Sequence, residues 1–333
     1  MTEHNVKLQI VIYGAGAVGG VVGSLLSLSG TPVVLIGRPS NVKAIKEHGI
    51  LLITPSGSFT FKLAAVTTPA QIEFGQHSVV FLCVKGQDTE RVIHDLYAVV
   101  QDVPIFCFQN GVRNEGIVSK YYPRVYGVMV KAGVVFMHDG EVISRDDPPG
   151  HLVMGRYPKG KDELVDFVAT KLRNARFKVV VTPEIMPYKW GKLVLNLTNS
   201  ISAITNSDGK EVSRIAAAVQ NEGKEILTQA QIRWIPIKES PPRGTKSNVP
   251  LGNIEFCTPL GSTWQSLTRR QGTVETEFLN GEIVRIAKKL GKAAPINEKL
   301  LLITSEMAAN HEGPGKYTAD QLIQILNLDR IPG

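Results

Sequence analysis

The sequence predicts an α/β protein: an N-terminal doubly wound, mixed β-sheet followed by an all-α C-terminal domain. Three observations predict it. An apolar, β-branched run closed by glycines lies near the N-terminus, strand and helix patterns alternate as far as residue 181, and only helical periodicity follows. The 333 residues exceed the roughly 250–300 at which a single hydrophobic core stops growing, so two domains are expected, 1–183 and 184–333.

Residues 8–13 (LQIVIY) form a continuous apolar run ending at Gly14, the pattern of a parallel strand buried on both faces. Residues 18–28 then show helical spacing, Gly30 stands where a helix stops, and 32–36 read as a second apolar strand, completing one βαβ unit. The pattern repeats with a strand at 79–84, a helix at 88–100 and a strand at 104–108 closed by Gln109, Asn110 and Gly111. Residues 49–63 place apolar runs on both sides of Pro55, Ser56 and Gly57, and 141–155 do the same around 146–150. Each predicts an antiparallel hairpin, which makes the sheet mixed.

After a strand-like run at 177–181, Pro183 and Pro187 punctuate the chain, and a long helical stretch begins near Tyr188. Helical periodicity then covers 211–231, 273–290 and 296–311, with Gly291 as a C-cap. The segment 236–250, rich in Pro, Gly and Lys, predicts a long irregular loop, mobile or functional. The helix over 273–290, apolar at Val274, Phe278, Ile283 and Ile286, is read as core or as a homodimer interface of the helical domain.

The loop GAGAVGG places Gly14, Gly16 and Gly19 in the spacing G-x-G-x-x-G, directly after a strand and directly before a helix. That context is the dinucleotide-binding, Rossmann-type turn. Gly14 permits the tight turn, Gly16 lets a diphosphate approach the backbone, and Gly19 lets the helix pack closely on the strand. Ala15, Ala17 and Val18 complete the turn, whose N–H groups and helix N-terminus suit a diphosphate. Where an NAD site has an acidic residue, the second strand here ends in Gly37 and Arg38. A guanidinium suits a 2′-phosphate, so NADPH/NADP+ is the expected cofactor; a solvated strand-end arginine is the alternative. Lys85 and Asn110 follow buried strands at their carboxyl ends, where open α/β sheets bind ligands.

Composition removes other classes. Hydrophobic residues at 43% and charged residues at 20% describe an ordinary globular protein. The net charge of +7 is spread without a basic run or interleaved aromatics, so nucleic acid is not expected. It is read either as a field drawing in anionic small molecules or as a basic surface without functional meaning. No apolar stretch reaches the roughly 18 residues of a membrane span, and MTEHNVK lacks the features of a secretory signal. Three scattered cysteines suggest neither disulfides nor a metal site, which fits a reducing cytoplasm. The histidines show no metal-ligand spacing, and no Ser-His-Asp set can be assembled.

Five segments in order now carry a resemblance: the glycine loop, CVKGQDT at 83–89, QNG at 109–111, KWGKLVLN at 189–196 and STWQSLTRRQGTVETEFLNG at 262–281. Together they resemble the ketopantoate reductase family along nearly the whole chain. The resemblance implies a Rossmann domain followed by a helical domain, with 2-oxopantoate bound in the cleft between them and reduced to pantoate on the route to coenzyme A. Carried over, Lys192 resembles the family's catalytic lysine, Asn196 an amide one turn later, and Glu275 the substrate-binding glutamate. Thr263 occupies a position where a serine hydroxyl is common, Asn110 resembles the amide that orients the substrate, and Lys85 the cofactor-side lysine. Ser200 stands where some members carry a second Asn, and Trp264 replaces a frequent Met; both bear on the substrate's alkyl part.

The residues support this chemistry independently. Lys192, Asn196 and Ser200 are spaced i, i+4, i+8 and on one helix would share a face. A hydride delivered to a ketone builds negative charge on oxygen, which a lysine can stabilise and protonate. Two readings compete. One is a reductase of another 2-oxo acid, or an opine-type dehydrogenase, on the same scaffold. The other is an NADP-sensing protein without chemistry, against which Lys192, Asn196 and Glu275 argue.

Overall fold

The computed structural model describes residues 8–237 and 261–330. Cys257 and most of the loop expected at 236–250 lie outside them. Among the described residues, 8–189 form one compact unit, and 190–237 with 261–330 form a second.

The first unit is built on an eight-stranded sheet. From edge to edge it runs Lys178–Val181, His151–Arg156, Val125–Lys131, Ile105–Cys107, Ser78–Leu82, Gln9–Tyr13, Val33–Ile36 and Ala64–Val66. Neighbours pair in parallel except His151–Arg156 with Val125–Lys131, so the sheet is mixed as expected. Helices cover both faces, and the strand side chains divide accordingly. Ile10, Ile12, Leu35 and Phe81 belong to one apolar cluster, and Val11, Tyr13, Ile36 and Leu82 to another. The period-two alternation of two apolar sets is what a doubly covered sheet requires.

The helix Ala17–Leu28 lies between this sheet and a second, four-stranded one, in the order Gly57–Phe61, Ile50–Thr54, Glu141–Ser144, Val134–Val135. The helix approaches the small sheet closely, since a Cβ at Gly20 would stand 2.5 Å from Val142. The hairpin expected over 49–63 is present, with Thr54 opposite Gly57.

The hairpin expected over 141–155 is not. Glu141–Ser144 pairs with Ile50–Thr54 and Val134–Val135 in the small sheet, whereas His151–Arg156 pairs with Val125–Lys131 and Lys178–Val181 in the large one. Apolar alternation reports which faces are buried and is silent about which strand lies alongside. The unit's other α-helices are Pro39–His48, Thr89–Tyr97, Asn114–Val118 and Glu163–Asn174.

The second unit is helical: Asn199–Ile204, Lys210–Gln229, Ser262–Thr268, Asn280–Lys289, Pro295–Ala309 and Ala319–Leu326. Helix Met186–Asn196 starts among the residues that pack with the sheet, and the packing divides within it, after Lys189. Lys210–Gln229 buries Ile215, Val219, Gly223 and Ile226 at helical spacing. Gly223 permits a close approach, because a Cβ there would meet Leu197 at 2.5 Å. The carboxylate of Glu222 accepts hydrogen bonds from the backbone N–H groups of Ile296 and Asn297, capping the neighbouring helix.

The single helix expected over 273–290 is instead a 3₁₀ turn, Glu275–Phe278, and a helix, Asn280–Lys289. Leu279, with φ −113 and ψ −90, separates them. Val274, Ile283 and Ile286 are buried within the unit, so their apolar character is accounted for by core packing.

Candidate active site

The three glycines of the turn differ in backbone angle and in surroundings. Gly14 has φ +114, and a Cβ there would stand 2.7 Å from the backbone of Cys83 and Val84. A Cβ at Gly19 would lie 2.1 Å from the Gly14 oxygen, while one at Gly16 would meet nothing within 4 Å. Gly14 and Gly19 thus close the strand–turn–helix junction, and Gly16 borders open space.

Gly16 is also the N-cap of Ala17–Leu28, whose first turn holds no acidic residue and receives no side-chain cap. The N–H groups that a helix start leaves without partners therefore remain for an anion, and a dinucleotide diphosphate fits this cradle. Asn41, buried, donates from Nδ2 to the Ala15 oxygen at 2.8 Å and accepts from Gly140 N–H at 2.7 Å. It braces the turn, although in sequence it looks like any asparagine near a helix start.

Arg38 is exposed at the end of Val33–Ile36 and is the N-cap of Pro39–His48. Gly37 before it reaches the glycine turn, since a Cβ there would lie 3.1 Å from that of Ala15. Arg38 thus follows a residue that packs against the glycine turn.

Lys85 and Asn110, both half-buried, follow the adjacent parallel strands Ser78–Leu82 and Ile105–Cys107. Behind Asn110 lies a polar network that sequence patterns do not reveal. Lys189 and Glu115, with side chains 2% and 0% exposed, form an ion pair, and the Lys189 ammonium also donates to the Gln109 backbone oxygen at 3.0 Å. Gln109 Nε2 donates to Thr89 Oγ1 at 2.8 Å, Thr89 donates to Asn114 Oδ1 at 2.9 Å, and Asn114 Nδ2 donates to the Asn110 oxygen at 2.8 Å. The only sequence signal is a lysine at the start of the segment 189–196 and a glutamate four residues beyond QNG.

In the helical unit, half-buried Lys192 and buried Asn196 lie four residues apart on Met186–Asn196. Ser200 does not extend their face. The helix stops at Asn196, and Ser200 belongs to the next one, Asn199–Ile204. Thr198 and Ser200 donate their hydroxyls to the oxygens of Leu195 and Leu197, both at 3.1 Å. Such local bonds compete with the helical ladder, and Ser200 is 1% exposed.

The elements that carry Thr263 and Glu275 pack together: helix Ser262–Thr268 contacts both Asn199–Ile204 and the turn Glu275–Phe278. Thr263 is buried, and its hydroxyl has no protein hydrogen-bond partner among the described residues. Glu275 is 8% exposed and stands on the 3₁₀ turn rather than on a long helix. Among the described residues, no group of three or more His, Cys, Asp or Glu could hold a metal ion, and no helix is long and apolar enough to cross a membrane.

Residues 10–159 match a family model described as ketopantoate reductase PanE/ApbA, and residues 184–308 match the model of the C-terminal part of the same family. The 2-dehydropantoate 2-reductase of Pyrococcus horikoshii is 29% identical over 297 residues, covering 87% of this chain and 94% of the relative. Among solved structures, a PanE/ApbA family ketopantoate reductase from Ralstonia eutropha JMP134 superposes with a TM-score of 0.75. It is 24% identical, and the match covers 91% of this chain and 99% of that one. A D-mandelate dehydrogenase solved with NADH and anilino(oxo)acetate superposes with a TM-score of 0.77 at 22% identity, over 91% and 99% of the two chains. These two likenesses concern the fold.

Proposed function

The chain belongs to the ketopantoate reductase family of oxidoreductases, and we propose that it catalyses the NADPH-dependent reduction of 2-dehydropantoate (ketopantoate) to pantoate. One observation carries the reading: a chain with an uncapped, ligand-accessible glycine turn also holds, in the family's order, a half-buried lysine, a buried amide and a buried carboxylate at Lys192, Asn196 and Glu275. A nucleotide binder without chemistry has no use for the last three.

When bound, NADPH supplies the hydride. Gly16 and the start of Ala17–Leu28 would hold its diphosphate, Arg38 would take the 2′-phosphate, and Lys85 and Asn110, at the carboxyl ends of their strands, would stand on the cofactor's side of the site. Lys192 holds a proton for the substrate's carbonyl oxygen. Its ammonium stabilises the negative charge that develops there and then releases the proton, so the oxygen stays on its carbon as the product's hydroxyl. Glu275 accepts a hydrogen bond from the substrate's own hydroxyl and favours the charged form of Lys192. Asn196 and Thr263 donate to the carboxylate, and the buried, unpartnered Thr263 hydroxyl suits that role. Asn110 orients the carbonyl.

A second reading, reduction of a 2-oxo acid with a different side chain, is favoured by Ser200, which is buried and already bonded to Leu197 where some members carry an asparagine. NADPH oxidation with 2-oxopantoate, pyruvate, 2-oxoisovalerate and a phenyl-substituted 2-oxo acid decides between them. The main reading requires the highest kcat/KM with 2-oxopantoate; turnover of none of the four removes both readings.

A further inference from the structure

Resting on the reductase reading above, we propose that the buried Lys189–Glu115 ion pair is a lock that aims Asn110, making Lys189 and Glu115 positioning residues for the reaction. The direction of the Asn110 side chain is set by the two peptide planes that flank its Cα. Both are held by side-chain donors. The plane before it carries the Gln109 oxygen, which accepts from the Lys189 ammonium at 3.0 Å, and the plane after it carries the Asn110 oxygen, which accepts from Asn114 Nδ2 at 2.8 Å. Gly111 follows with φ +83, so the chain turns away at once.

The two donors are tied to each other. Gln109 reaches Asn114 through the Thr89 hydroxyl, and Glu115, next to Asn114, holds the other side of the Lys189 ammonium. A turn at the end of a strand would ordinarily be among the more mobile parts of the fold; this one is clamped from below.

The chemistry of the clamp argues that its role is positional. A buried ion pair is often matched or bettered in stability by apolar side chains of similar volume, because removing two charges from water offsets their attraction. Here the charged pair is completely enclosed, and the Glu115 Oε2 and Gln109 Oε1 atoms have no protein partner among the described residues. What an apolar pair cannot do is donate to the Gln109 oxygen. Lys189 also lies three residues before Lys192 on the same helix, so the pair fastens the first turn of the element that carries the proposed proton donor.

The double variant Lys189→Met/Glu115→Leu tests this in the full-length protein. It is expected to melt no lower than wild type, to exchange the backbone amides of residues 108–116 about tenfold faster in hydrogen–deuterium exchange, and to lose kcat on the order of 10–100-fold with NADPH affinity unchanged. Lys189→Arg alone, which can still donate to both oxygens, is expected to restore amide protection and most of kcat. A folded double variant with wild-type protection or wild-type kcat overturns the proposal. Loss of the fold overturns it too, by making the pair a stability element. If the wild-type protein reduces no 2-oxo acid, the reductase reading fails separately, and the exchange rates still decide whether the pair locks the turn.

Discussion

A Cβ at Gly19 would stand 2.1 Å from a backbone oxygen, whereas one at Gly16, three residues earlier, would touch nothing. Identical residues in one motif therefore meet different surroundings, one closely packed and one open, and on the proposed function the open one faces the cofactor. Gly19→Ala is expected to destabilise the protein by at least about 2 kcal/mol through overpacking, while Gly16→Ala keeps the wild-type melting temperature and weakens NADPH binding. Thermal denaturation and cofactor titration of both variants check this contrast. Arg38 makes its proposed contribution at the 2′-phosphate: Arg38→Asp is expected to lower kcat/KM with NADPH on the order of 10–100-fold, the worth of charge-assisted hydrogen bonds, and to spare NADH. Unchanged efficiencies with both cofactors would remove its assignment. Lys192→Ala is expected to lower kcat on the order of 10²–10⁴-fold, the range for a positioned proton donor, with NADPH affinity intact by fluorescence titration.

Some elements owe their ends to single polar groups. The helix Glu163–Asn174, which buries Val165, Val168, Ala169 and Leu172 at helical spacing, starts at Asp162, whose carboxylate accepts from Val165 N–H at 3.0 Å and from the Tyr126 hydroxyl at 2.8 Å. Asp162→Ala removes the cap and leaves a buried phenol without its acceptor, so a loss of about 1–2 kcal/mol is expected in urea unfolding. The strand Lys178–Val181 closes one edge of the large sheet with Val180 55% exposed, and Arg173 covers part of that strand by donating to the Val179 oxygen at 3.2 and 3.1 Å. The break after Asn196 is a similar local decision, made by the Thr198 and Ser200 hydroxyls. The i, i+4, i+8 spacing was legible in the residues; that the third member lies on a new helix was not, because a hydroxyl bonding back to its own chain leaves no trace in an apolar pattern.

At the scale of the whole molecule, the sheet's two covered faces bury tyrosines and a thiol together with the aliphatic core. Burial and the neighbouring Asp95 push Tyr13 up to about 12. Burial pushes Tyr122 and Tyr126 up further, and burial with the nearby Glu115 raises the Cys107 thiol well above its ordinary range. Each of these pKa values is higher in the folded state than in the unfolded one, so folding favours the protonated form. The stability this represents is fully present below the unfolded values, 9.0 for the thiol and 10.0 for the phenols, and is lost as pH rises beyond them. The urea midpoint is thus expected to hold steady from about pH 7 to about 9 and to fall by about pH 10.5; a flat midpoint through that range would show that these groups titrate alike in both states.

The order of strands and helices around the glycine turn and the helical character of the second half were written in local patterns, while candidates such as Thr263 and Glu275 were legible only through the family resemblance. Hydrophobic period and glycine placement reflect constraints that act over a few residues, and a linear chain displays those directly. Partner choice was decided only by the tertiary structure. It assigned Glu141–Ser144 and His151–Arg156 to different sheets, divided 273–290 at Leu279, and enclosed Lys189 and Glu115, 74 residues apart, as a pair beneath Asn110. Those outcomes depend on which surfaces meet across long stretches of sequence, where charge and apolarity state what must be covered and leave open by what.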